Sequence, residues 1–310
     1  MTDLSETPGA IPDPAELRPA GNPAWDRFLA FFRSPLAVIG LLLALAFVVA
    51  AIFAPWLAAQ NPYDMTAIDI MDARLAPGSQ NFDGTITYVF GTDGQGRDLY
   101  SAILYGLRTS LVVGVGSAVL AGMIGIVLGL IAAYAGGLTD TVIMRVVDLL
   151  MALPSILVAL LILAMFGRGV TNVVLTLVFM EWAYYARTAR GQALVESERD
   201  YVEAARGLGL GSARILLRHI LPNCLPPLIV IGTLQIARAI TLEATLSFLG
   251  LGVPVTQPSL GLLVSNGYQY MLSGDYWISF APGMALLLAI VSINLIADRL
   301  REVLDPRAVL

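Results

Sequence analysis

Six stretches of this chain are long, apolar and almost free of charge, and no other feature limits its fold so tightly. Residues 36–59 hold no charged side chain, and residues 109–133, 149–166, 169–186, 220–248 and 276–297 follow in the same manner. About 20 residues, each rising 1.5 Å, cross the roughly 30 Å hydrocarbon layer of a bilayer. A lone segment in lipid can satisfy its backbone polar groups only as a helix. The expected fold class is therefore all-α integral membrane protein with six transmembrane helices. Only 13% of the residues are charged, against about 25% in soluble domains. Pro154 predicts a kink in the third span. Pro222, Pro226 and Pro227 predict that the fifth is irregular and begins near residue 226.

The side chains that are missing exclude several kinds of chemistry. All 18 basic residues are Arg. Without Lys there is no ordinary phosphate-binding P-loop and no Schiff base. One Cys (Cys224) and one His (His219) exclude a disulfide framework and a Cys/His metal site. Cys224 reads as a small buried apolar residue and His219 as an interfacial helix residue. The net charge of −5 gives no reason to expect nucleic acid binding. No catalytic residue, metal ligand or cofactor is expected in this chain.

Arginines orient the spans. With the N-terminus inside, thirteen of the 18 fall on the inner side, among them Arg27, Arg33, Arg145, Arg187, Arg190 and Arg199. Arg74, Arg97, Arg108 and Arg168 fall outside, and Arg238 lies within a span. Both termini are then expected in the cytoplasm.

Residues 1–35, Pro-rich and acidic, read as a disordered cytoplasmic tail ending in an interfacial segment at Trp25, Phe28, Phe31 and Phe32. After the first span, 36–59, comes an outer loop over 60–107. Its 91–98 segment, G-T-D-G-Q-G-R-D, lacks the third glycine of a dinucleotide loop and the distal Glu of a calcium loop. Asp93 and Asp98 are expected to cap turns, Asp98 opening an amphipathic helix with Leu99, Ile103, Leu104 and Leu107 on one side. The core then runs over 108–300, with a cytoplasmic loop at 187–219 and a tail at 301–310. Ser117, Ala121, Gly125, Gly129 and Ala133, each four apart, form a stripe another helix can approach closely. Arg145 and Asp148 are placed to pair. Glu181 is an intramembrane acid that snorkelling to water would explain. Arg238 and Glu243 lie deep in the fifth span, about 140° apart, too far round to pair with each other. The Gly- and Pro-rich 250–275 segment predicts turns.

The polar stretch 199–222 reads as helix, bend, helix. Tyr201, Ala205 and Leu208 make a narrow apolar face; Gly209 supplies a left-handed end; Ser212 is the expected N-cap of a second helix, which Pro222 closes. Periodicity alone fits a docking helix or a solvated loop equally. Glu203-Ala204-Ala205, Gly209 and Leu221-Pro222 resemble the "EAA" motif of ABC importer permeases, with His219 where the motif has Ile. G-T-D-x-x-G-R-D at 91–98, G-G-L-T-D-T-V-I-M-R-V-V-D at 136–148, L-S-F-L-G-L-G-V at 246–253 and L-D-P-R at 304–307 resemble the C-type permeases of dipeptide, oligopeptide and nickel ABC importers.

That resemblance implies a type I ABC importer permease fold in a bacterial inner membrane, forming half of a translocation pore. It implies as partners a second homologous permease subunit, two ATP-binding ATPase subunits and a periplasmic solute-binding protein. Glu203, Ala204, Ala205, Gly209, Leu221 and Pro222 would couple the chain to the ATPases. Arg238, Glu243 and Asn266 are candidates for the pathway or a gate. Di- or oligopeptides are the expected solutes, with nickel chelates or small glycans as alternatives. An ion-driven secondary transporter would show inverted repeats, and none is evident. An intramembrane protease would need a G-x-S-x-G serine with a buried His, or two Asp within spans, and neither is present.

Overall fold

The computed structural model describes residues 23–304 apart from 65, 67 and 255. The expected disorder of the first 22 residues and most of the 304–307 motif lie outside that range. Within it the apolar runs are helices. Trp25, Phe28 and Phe32 form a row of ring contacts along α1 (Pro23–Phe32), so the segment before the first span is helical. In α2 (Pro35–Ile52), Ser34 Oγ accepts from the Ala37 N–H and caps the first turn. The short α3 (Ala54–Leu57) follows.

The amphipathic helix and the second span are one element, α4 (Leu99–Ala135), 37 residues long. Asp98 opens it, accepting from the Tyr100 and Ser101 N–H groups, and Gly136 ends it at φ 61°. Residues 99–107 are buried except for half-buried Tyr100, so packing gives the helix no reason to break at the expected loop boundary. Over the expected third span the chain bends more sharply than a kink: α5 (Gly137–Ala152) and α6 (Ser155–Phe166) meet at 92° across Pro154. Leu153 and Pro154 are both extended there, as expected for a proline and the residue before it. α7 (Val170–Ser197) continues past the expected end of the fourth span.

The polar stretch then gives α8 (Asp200–Gly207) and α9 (Ser212–Ile215), followed by a π turn (Leu216–Ile220) and α10 (Leu221–Phe248). The last two long elements are α11 (Leu260–Tyr268) and α12 (Trp277–Leu304). Among the described residues four helical stretches are long and apolar enough to cross a membrane, and the α5–α6 pair makes five if it counts as one span. α7 has 28 residues, about 42 Å at 1.5 Å each, but Glu181, Arg187 and Arg190 make it too polar to be counted by composition alone.

The main seam of the bundle is α4 against α7. Ser117, Ala121, Gly125 and Gly129 are buried along it. A Cβ on Gly125 would collide with the Trp182 carbonyl and the Tyr185 side chain, and one on Gly129 with the Ala186 carbonyl. Without side chains in the way, the two backbones touch, and dispersion replaces the hydrophobic force that lipid does not supply.

The 60–107 loop is tied by its carboxylates. Asp93 accepts from the Gln95 and Arg97 N–H groups and pairs with buried Arg97 at 2.7 Å. Asp72 accepts from the Tyr88 hydroxyl at 2.8 Å. The 250–275 segment is not all turns, because it holds α11. Ser259 caps this helix, accepting from the Leu262 N–H. Gly261 and Gly267 lie against the backbones of Ala244 and Ile278. Each glycine costs a helix about 1 kcal/mol relative to Ala, and burial against α10 and α12 offsets that cost.

Candidate functional site

α8 is built for its two ends. Arg199 is extended just before it, Asp200 and Glu203 stand in its first turn and Arg206 in its last. Acid at the N-terminus and base at the C-terminus suit the helix dipole. At the far end the Leu210 N–H bonds the Ala205 carbonyl (3.2 Å) and the Gly209 N–H bonds the Arg206 carbonyl (2.9 Å). This 6→1 and 5→2 pair is the Schellman arrangement, which needs a left-handed residue. Gly209 supplies it at φ 72°. Leu210 packs on the same apolar cluster as Ala205, the hydrophobic contact that accompanies this cap.

The buried face differs from the expected one. Val202 (0% exposed) and Ala205 (5%) point inward, into a cluster with Leu130 of α4, Ala189 and Ala193 of α7, and Ile215, Ile220, Cys224 and Leu228. Tyr201 and Leu208 lie outside it, Leu208 being 81% exposed. The Ala204–Ala205 pair is split: Ala204 and Glu203 are exposed, while Ala205 is interior. A larger side chain at 205 would push α8 off the bundle. The small residue is thus explained by packing within this chain.

A polar latch fixes the other side of α8. Tyr201 donates its hydroxyl to Glu196 Oε2 at 2.6 Å and accepts from Asn223 Nδ2 at 3.1 Å. Asn223 Nδ2 also donates to the His219 carbonyl at 2.7 Å. The latch joins the end of α7, α8 and the start of α10. Burial, then the Glu196 carboxylate, push the Tyr201 phenol up to about 12, so it stays a donor at every physiological pH. Tyr201→Phe removes two hydrogen bonds, each worth about 0.5–1.5 kcal/mol net. It is expected to leave the bundle folded and to raise amide hydrogen exchange across 200–207 several-fold. Unchanged exchange there would show that the latch does not hold α8.

Two expectations at the second helix need correction. Gly211 is the N-cap and Ser212 already lies inside α9. Pro222 closes nothing; the helix runs unbroken over residues 212–248, through Pro222, Pro226 and Pro227. Proline lacks an N–H and its ring presses on the carbonyl four residues back, here at Arg218. The π turn at Leu216–Ile220 widens the helix at that point, where the Leu221 N–H reaches back to the Leu216 carbonyl. The extra room lets the chain pass the proline without a break.

The family described as "Binding-protein-dependent transport system inner membrane component" matches residues 125–309, a stretch containing this whole site. The chain belongs to this family. The "N-terminal TM domain of oligopeptide transport permease C" matches residues 22–77. A putative peptide transport system permease protein of Brucella suis is 44% identical over 269 residues, 87% of each chain. The dipeptide transport system permease protein DppC of Escherichia coli K12 is 43% identical over 277 residues, 89% of this chain and 91% of that one. Inward-facing crystal structures of the MetNI methionine ABC transporter match with a TM-score of 0.54 at 20% identity, covering 65% of this chain and 96% of that one. The protein is thus a multi-pass, all-helical membrane permease with the ABC permease fold.

Elsewhere in this permease the charged candidates have separate fates. Arg145 does not pair with Asp148. Asp148 pairs with Arg187, and Asp140 with Arg190, whose Nη2 lies 2.6 Å from Oδ2. These pairs tie α5 to α7, which helical spacing within α5 could not reveal. Glu181 does not snorkel: it is 1% exposed, and neither carboxylate oxygen has a hydrogen-bond partner. Glu243 is fully buried and accepts from Ser110 at 2.8 Å and Ser247 at 2.7 Å, joining α10 to α4 as a structural tie. Asn266 is half-buried on α11. Arg238 forms an ion pair with neither acid, although Glu181 is electrostatically coupled to it. Its guanidinium carbon lies 4.3 Å from the centre of the Tyr184 ring, and its Nη2 is 3.5 Å from Ser155 Oγ.

Proposed function

We propose that this chain is one of two permease subunits of an ATP-driven importer of di- or oligopeptides, and that α8 receives the motion of the ATPases. The observation that carries this reading is the construction of α8. Val202 and Ala205 root it in the cluster shared by α4, α7 and the start of α10. Glu203, Ala204, Leu208 and Gly209 are left exposed at its surface. A short, rigid, half-buried knob of this kind transmits a push into three long helices, which a solvated loop cannot do. ATP hydrolysis belongs to two partner ATPase subunits, since this chain has no Lys for a phosphate loop. A second homologous permease would complete the pore, and a periplasmic binding protein would deliver the solute. The peptide assignment is supported by the named specificity of the relatives.

The same reading sets α7 as the sixth crossing helix, places α8 and both termini in the cytoplasm, and puts the complex in a bacterial inner membrane. Leu221 and Pro222 act where the π turn meets α10, and Ala205 acts by seating α8 rather than by touching the partner.

The test is reconstitution of the complete transporter in proteoliposomes with loaded binding protein. ATP-dependent dipeptide uptake is expected. Uptake that persists without the ATPases would replace this reading with ion-driven transport, and transport of a nickel chelate or glycan alone would replace the solute. Ser212 is exposed. A Ser212→Cys variant in a Cys224→Ala background should resist an impermeant maleimide in intact cells and react after permeabilisation. Labelling of intact cells would reverse the orientation.

A further inference from the structure

α10 keeps one stripe open. Leu234, Arg238, Thr241, Thr245 and Phe248 recur at helical spacing and are exposed or half-exposed, whereas Gln235, Ala239, Glu243 and Leu246 behind them are buried. Arg238 lies ten residues from the helix end at Phe248, about 15 Å at 1.5 Å per residue and thus near the middle of the hydrocarbon layer. An arginine there costs about 2.5–3.5 kcal/mol on insertion scales. A stripe facing lipid alone would not hold one.

No neighbour of Arg238 among the described residues occupies it as an ion pair. Its two close contacts, Tyr184 and Ser155, are uncharged. Glu243 is taken up by Ser110 and Ser247. Glu181 of α7, one turn from Tyr184, is electrostatically coupled to Arg238 but forms neither an ion pair nor a hydrogen bond with it. The ring of Tyr184 lies over the guanidinium carbon, so it does not occupy the in-plane N–H donors, of which one is directed at Ser155. What remains is a planar fork of donors, the geometry that binds a carboxylate in two-point fashion. Along the same stripe, at Thr241, Thr245 and Phe248, lies a cavity of about 230 Å³ walled by Gly261 and Val264 of α11. It is large enough to admit a side chain.

We propose that Arg238 is a solute-recognition site within the membrane, taking the free carboxylate of a solute that passes along the open stripe of α10; for a peptide this is its C-terminus. The inference rests on the peptide-importer reading above.

The experiment uses the complete transporter in proteoliposomes, with one dipeptide as the free acid and as the C-terminal amide. Each is supplied at concentrations that saturate the binding protein. Wild type is expected to move the acid faster. Arg238→Gln should cut acid uptake at least tenfold and leave amide uptake nearly unchanged, so that the preference disappears. Arg238→Lys should retain much of the preference. Assembly with the ATPases and basal ATP hydrolysis serve as controls for folding. If Arg238→Gln keeps the wild-type preference, Arg238 does not read the carboxylate. If it loses acid and amide uptake in equal proportion, the residue has a structural role, such as an ion pair with the second permease. Either result overturns the proposal while the peptide reading stands. A wild type that moves neither form overturns both.

Discussion

Gly209→Val is expected to leave the chain inserted and folded in the membrane, to weaken its hold on the ATPases and to cut solute uptake at least tenfold. The argument is conformational. Gly209 sits at φ 72°, and no atom lies within 4 Å of where its Cβ would be. Steric room is therefore not the difficulty. A β-branched residue in this region costs about 1–3 kcal/mol. Relieving that strain means leaving the left-handed conformation, which breaks the Leu210–Ala205 and Gly209–Arg206 hydrogen bonds that end α8. Leu210 then leaves the cluster that seats the helix. The bundle has no comparable stake in this turn, so insertion survives. Gly209→Asn tolerates positive φ better and should retain most of the uptake. Normal uptake by the valine variant would remove α8 from the coupling route.

Gly125→Val should have the largest effect on stability. The new Cβ would meet backbone atoms of Trp182 and Ala186 as well as the Tyr185 side chain. Backbone cannot swing aside as a flexible side chain can. Overpacking typically costs about 1–3 kcal/mol and sometimes more, and here it would force α4 and α7 apart along their whole seam. Little folded protein is expected after detergent extraction, measured by size-exclusion profile and thermal melting. Gly116 is the control. It lies nine residues, about two and a half turns, earlier on α4 with nothing within 4 Å of its Cβ position, and Gly116→Val should melt within a few degrees of the parent. Equal stability of the two variants would mean that the α4–α7 seam is not close-packed.

These cases also show how far the sequence could be read. The small-residue stripe predicted the seam on α4 because the spacing of four is a local property of one helix. Its partner, α7, is a tertiary fact. The glycine at 209 was legible for the same reason, since a left-handed cap has a local chemical requirement. The face of α8 was misread. Tyr201, Ala205 and Leu208 fit a helical spacing, and Val202 with Ala205 fits one equally well. Which set is buried depends on where α4, α7 and α10 stand. The pairing of Asp148 with Arg187 instead of Arg145 has the same origin, as does the burial of Glu181.

By itself the sequence determined that the chain is a helical membrane protein, that it carries no Lys, and that residues 199–222 interrupt the apolar stretches with a polar, arginine-rich segment holding a left-handed glycine. Those properties follow from composition, charge and local backbone preference, which act residue by residue. Only the tertiary structure decided that α4 is one helix, that α11 hides in an apparent loop, that Pro222 lies within a continuous helix, and that Arg238 is left half-exposed where Glu181 and Glu243 are buried. Each of these depends on what lies opposite in space. A helix pattern records which faces are apolar, but it does not record which neighbour will cover them.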